Sequence, residues 1–136
     1  MIAVVDVSGT MEILLQREKA VQFSALLQAA TLVLAPELYI SELTNTLWKY
    51  HRSHILTKDE CIQYIHDGIN YVDRFVDSKD LWQEAFSEGV HNNHSIYDMF
   101  YMVVARRNDG ILMTNDSALA SICKKNTIQV CDGDTV

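Results

Sequence analysis

Ile2-Ala3-Val4-Val5-Asp6 and Ile111-Leu112-Met113-Thr114-Asn115-Asp116 are two short apolar runs, each leading to an aspartate. An apolar run with no polar alternation is the pattern of a strand covered on both faces, which belongs to parallel sheets. Residues 31–35 repeat that pattern before Pro36 stops it, and shorter stretches at 74–76 and 127–131 read as further strands. Between them lie helical signals. Ser8 is a plausible N-cap ahead of a turn at 11–15, and Val21, Leu26 and Leu27 mark a second short helix. Leu38, Leu43, Leu47 and Tyr50 have helical spacing over 37–51, and Thr57 with Glu60 forms a capping-box signature for a helix reaching about Tyr71.

Later in the chain, Ser78 and Lys79 introduce an amphipathic helix through about Gly89. Ser95 opens another, with Ile96, Phe100, Val103 and Val104 on one face and Arg106 and Arg107 at its C-terminal end, before Gly110 stops it. Asn115-Asp116-Ser117 then opens a helix through about Lys125. Strands alternating with helices of this length predict an α/β chain, an open and mainly parallel sheet with helices on both faces. No repeat, linker or low-complexity tract divides residues 1–136, so one domain is expected, at a length able to bury about two thirds of its unfolded surface.

Composition narrows the function classes. Apolar residues make up 49% of the chain, with one proline and five glycines, which is ordinary globular usage. No apolar run approaches the roughly 20 residues of a membrane helix, and the N-terminal apolar stretch meets an acid at Asp6 with no basic segment before it. A cytoplasmic protein without membrane contact is expected. Cys61, Cys123 and Cys131 show no metal-ligand or disulfide spacing and read as reduced packing residues. The formal charge of −7 opposes nucleic-acid binding through a broadly basic surface. That conflict eases if several acids share divalent cations that contact phosphate themselves.

Four acids can converge, although any one of them alone reads as a cap or surface residue and spacing alone does not join them. Asp6 and Asp116 stand at the carboxyl ends of predicted strands, where open parallel sheets collect ligands. Glu42 and Asp98 fall in early turns of helices, where the dipole favours negative charge. Two unit charges about 4 Å apart repel by roughly 1 kcal/mol in water and about 4 at an effective dielectric near 20, so a converged set calls for a cation. Oxygen donors suit magnesium or manganese and not zinc, and the chemistry that follows is metal-assisted phosphoryl transfer.

Val4-Val5-Asp6-Val7-Ser8, Ser41 to Trp48 (SELTNTLW), Ile96 to Arg106 (IYDMFYMVVAR) and Thr114-Asn115-Asp116 resemble the successive acidic motifs of PIN-domain ribonucleases, notably bacterial VapC-type toxins. Order and spacing match over nearly the whole chain. The resemblance implies a three-layer α/β/α sandwich whose mainly parallel sheet has four or five strands. It also implies Mg²⁺- or Mn²⁺-dependent endoribonuclease activity. Asp6, Asp98 and Asp116 would be metal ligands, Glu42 would bind metal directly or through water, and Ser8, Thr114 and Asn115 would support the site. A homodimer and a cognate antitoxin protein are implied partners, with RNA as substrate. Leu119 departs from relatives that carry a further acid or polar residue there, which bears on a second metal ion.

Two other readings compete. Acidic pockets at strand ends also serve magnesium-dependent phosphoacceptors and phosphatases, but no second Asp follows Asp6 two residues on. A non-catalytic interaction module of the same fold is the other. His51 with His54 and His91 with His94 share i,i+3 spacing but lack a third ligand, and read as surface or helix-end residues. Trp48, Tyr50, Phe100 and Tyr101 read as core ahead of base-stacking. Lys49, Arg52 and Lys58, and Arg106, Arg107, Lys124 and Lys125, are the basic groups to inspect first for phosphate contacts.

Overall fold

The computed structural model describes residues 1–134, and among these five strands form one parallel sheet. They are β1 (Ile2–Val5), β2 (Leu32–Pro36), β3 (Arg74–Val76), β4 (Ile111–Met113) and β5 (Val130–Cys131), in the order β3-β2-β1-β4-β5. The connecting helices are α1 (Val7–Leu14), α2 (Ala20–Ala29), α3 (Leu38–Arg52), α4 (Lys58–Asn70), α5 (Trp82–Asn92), α6 (Ile96–Arg107) and α7 (Ser117–Lys125). The α/β architecture expected from the apolar runs is therefore present, with a sheet that is wholly parallel.

Topology sets the position of the site. The chain winds outward through β1, β2 and β3, then crosses back to place β4 on the other side of β1 and continues to β5. The strand order reverses between β1 and β4, and right-handed crossovers send the helices of the two halves to opposite faces. Ala3, Val4 and Val5 are fully buried in succession, as coverage of both faces requires. Val4 lies opposite Leu34 on one side and Leu112 on the other, so the carboxyl ends of β1 and β4 emerge together.

Several local readings change. Helix α6 carries no single apolar face: residues 99–105 are all buried, because the helix packs against β1, β2 and β4 on one side and α5 on the other. The helix expected over 78–89 divides into a 3₁₀ turn at Ser78–Asp80 and α5, and the Ser78 N–H donates to the Glu37 carboxylate at 2.9 Å. Ser95 occupies the N-cap of α6 but its side chain makes no capping hydrogen bond. The last strand is only Val130–Cys131, since Thr127 takes a positive φ of 60°. The capping box of α4 is complete: Thr57 Oγ accepts from Glu60 N and Glu60 Oε1 accepts from Thr57 N. The three cysteines are free, and burial pushes the Cys123 thiol up to about 12, as fits a packing residue. Among the described residues, no helix is long and apolar enough to cross a membrane.

Candidate active site

Asp6 follows β1 directly and caps the N-terminus of α1. Its Oδ1 accepts from Ser8 Oγ and from the Gly9 N–H, both at 2.8 Å, and its Oδ2 accepts from Thr114 Oγ1. Ser8 Oγ in turn accepts from Asn115 N at 2.8 Å, and Thr114 Oγ1 from Asp116 N at 3.0 Å. The residues at 8, 114 and 115 thus stitch the ends of β1 and β4 together around one carboxylate. Burial pushes the Asp6 carboxyl up to about 6, against three donors that favour its charged form and with the Asp98 charge raising it further.

Each other acid has a dedicated partner. Glu42 Oε1, from the second turn of α3, accepts from the Tyr101 hydroxyl at 2.6 Å. Burial raises the Glu42 carboxyl, the Tyr101 hydrogen bond lowers it, and the Asp98 charge raises it. Asp98 Oδ2, in the first turn of α6, meets His94 Nε2 at 2.7 Å. Asp116 caps α7, its Oδ1 accepting from the N–H groups of Ala118 and Leu119 at 2.9 and 3.1 Å.

All four acids line one cleft of about 360 Å³, together with Ser8, Tyr101 and Asn115. Thr114 is buried beneath it. Among the described residues no three His, Cys, Asp or Glu side chains are grouped closely enough to hold a metal ion as they stand, although the four acids line one cleft. The donor set nevertheless fits a hard divalent ion. Among the described residues no hydrogen bond reaches Glu42 Oε2, Asp98 Oδ1 or Asp116 Oδ2, so three walls each keep one carboxylate oxygen free. Magnesium retains several waters and is held by few carboxylates, which spaced ligands accommodate.

Sequence reasoning missed four residues here. His94 was grouped with His91, but α5 ends at Asn92 and Asn93 turns at a φ of 50°, so the two imidazoles share no helix face. The informative spacing is His94 to Asp98, i to i+4. Tyr101 lies one turn beyond Asp98 and is 2% exposed, and its hydroxyl faces Glu42. Arg17 reaches the cleft mouth, where its guanidinium donates to the Tyr50 hydroxyl and its Cζ stands 5.5 Å from the Tyr50 ring centre. Nothing in the local pattern marks Arg17, and Tyr50, read from sequence as core, lines the cleft. Of the basic groups flagged from sequence, Arg106 and Arg107 are tied to Glu84, and Arg52 stacks over Trp48 at 4.6 Å.

Comparison with known proteins places the family and the fold. The PIN domain family model matches residues 3–125. The chain is 25% identical over 119 residues to Ribonuclease VapC3 of Pyrobaculum aerophilum, covering 86% of this chain and 91% of that protein. Its fold matches the crystal structure of PAE2754 from Pyrobaculum aerophilum with a TM-score of 0.75 and 18% identity, covering 96% of this chain and 83% of that one. With the family model spanning residues 3–125, and so all four acids, the chain belongs to the PIN-domain family.

Proposed function

We propose that this protein is a magnesium- or manganese-dependent endoribonuclease and the toxin of a toxin–antitoxin pair. The observation that carries the reading is the meeting of Asp6, Glu42, Asp98 and Asp116 in one cleft at the strand-order reversal. Similarity to Ribonuclease VapC3 supports RNA as substrate and an antitoxin as partner.

Asp6, Asp98 and Asp116 would hold the metal, with Glu42 as a direct or water-mediated ligand. When bound, the metal supplies water activation and charge neutralisation at the scissile phosphate. The chain's own contribution is orientation. Ser8, Thr114 and the Gly9 N–H fix Asp6, Tyr101 fixes Glu42, and His94 fixes Asp98, leaving the other oxygens of Glu42 and Asp98 turned to ligand. Arg17 is the cation at the cleft mouth, placed to meet a phosphate adjoining the cut.

The surface of α5 supports a homodimer. Trp82, Phe86 and Val90 recur every fourth residue and are 58%, 59% and 67% exposed, with Tyr97 beside Glu42 adding to the apolar area. A second copy of the chain is the proposed cover. Free cysteines fit a reducing compartment, and the cytoplasm is the proposed location.

Mapping RNA 5′ ends in cells after induction tests the reading. Wild type should generate new 5′-phosphate ends that Asp6→Asn does not, whereas identical ends in both, or none in the wild type, would defeat it.

A further inference from the structure

Beside the acid-lined cleft lies a second groove of about 510 Å³, and the two share Asn115 and Asp116 as a common wall. Its lining is mixed, with Lys19, Lys124 and Lys125 beside Asp116, Asp132 and Asp134. Ser117, Ser121, Lys124 and Lys125 recur at helical spacing along one face of α7, and Lys19 closes the groove from the start of α2. In a chain of net charge −7, this is where three cations flank the path out of the acidic cleft.

Two of these lysines already hold anions. Lys124 Nζ lies 2.8 Å from Asp132 Oδ2 and Lys19 Nζ lies 3.2 Å from Asp134 Oδ1. The segment bearing those acids is shaped to reach them. Gly133 takes a φ of 79° and lies against the Lys19 stem, where an added Cβ would come within 2.6 Å of Lys19 Cδ. The Asp134 N–H donates to Asp132 Oδ1 at 3.0 Å, completing the turn. Lys125 has no ion pair among the described residues.

We propose that this groove holds the sugar–phosphate backbone of single-stranded RNA as it leaves the acid-lined cleft, and that Asp132 and Asp134 stand in for its phosphates in the free protein. The proposal rests on the ribonuclease reading above. Each pair has one exposed partner, Asp134 at 72% and Lys124 at 53%, through which incoming phosphates can compete with the tail carboxylates, while the serine hydroxyls of α7 are placed to donate to the same backbone. Lys124 pulls the Asp132 carboxyl down to about 2, so that carboxylate stays anionic throughout the working pH range.

The test measures binding of a labelled oligouridylate of about 12 nucleotides to the full chain in chelator, by fluorescence anisotropy. Lys124→Gln and Lys125→Gln should each weaken binding about threefold. Each should also flatten the dependence of log affinity on log salt by about 0.7. Asp134→Asn, at a carboxylate 72% exposed, should tighten binding about threefold. Lys79→Gln, in the 3₁₀ turn Ser78–Asp80 and outside the groove, should match the wild type. If both groove lysine variants bind as the wild type does and Asp134→Asn gains nothing, the groove assignment is overturned. Manganese-dependent cleavage of the same oligouridylate by the wild type, measured alongside, would then leave the nuclease reading standing. A wild type that neither binds nor cleaves it would overturn both.

Discussion

Burial of Asp6 makes the metal-free protein sensitive to pH in a defined window. Its carboxyl moves from an ordinary value of 3.8 to about 6 on folding, chiefly through desolvation. The folded state therefore holds this proton more tightly than the unfolded chain does. The resulting stabilisation is complete below pH 3.8 and is lost as pH rises through about 6. A shift of about 2 units at 1.36 kcal/mol each gives about 3 kcal/mol, or roughly 10 °C in Tm for a domain of this size. Asp6→Asn removes the titration while keeping an oxygen for Ser8 and Gly9, and Asn is as good an N-cap as Asp. Thermal unfolding in chelator, followed by circular dichroism from pH 4 to 7.5, isolates this contribution as the difference between variant and wild type. The variant should gain on the wild type by about 2.5 kcal/mol between pH 4 and 7.5, nearly all of it below about pH 6.5. A difference that stays constant with pH would refute the reasoning, because it would show that Asp6 titrates alike in the folded and unfolded states.

Tyr101→Phe leaves Glu42 Oε1 without its 2.6 Å donor and should cost about 1 kcal/mol in urea unfolding. It should also move Glu42 protonation to higher pH, as followed by carboxyl NMR. Asp116→Ala removes the acceptor for the Ala118 and Leu119 N–H groups and should lower stability by about 1 kcal/mol, whereas Asp116→Asn should stay close to the wild type; thermal unfolding compares them. Phe86→Glu places a charge in the apolar stripe of α5 and should shift sedimentation from dimer to monomer without changing far-UV circular dichroism.

The frame of the site was legible because its determinants are local. Val4-Val5-Asp6 announces a covered strand and its stop within a few residues, and Met113-Thr114-Asn115-Asp116 does so again. Parallel pairing then forces the two stops together. The α4 capping box was legible for the same reason, since both of its hydrogen bonds span three residues. Partners joined across long sequence distance left no such trace. Tyr101 meets Glu42 across 59 positions and Arg17 meets Tyr50 across 33. Periodicity misled in α6, where burial between sheet and α5 removes the polar face that an amphipathic reading assumes. It misled again at His91 and His94, where Asn93 breaks the helix between them. The overall negative charge described the whole chain, whereas the distribution that matters is acidic in the cleft and basic along α7.

Cleavage of an unstructured RNA by the purified protein tests the carboxylate site most directly. Wild type should cut when magnesium or manganese is supplied and stop on chelation. Asp6→Asn and Asp98→Asn should fold but leave the RNA intact, and His51→Ala and His91→Ala should cut as the wild type does. Cutting that persists in chelator, or that is undiminished in Asp6→Asn and Asp98→Asn, would contradict the assignment.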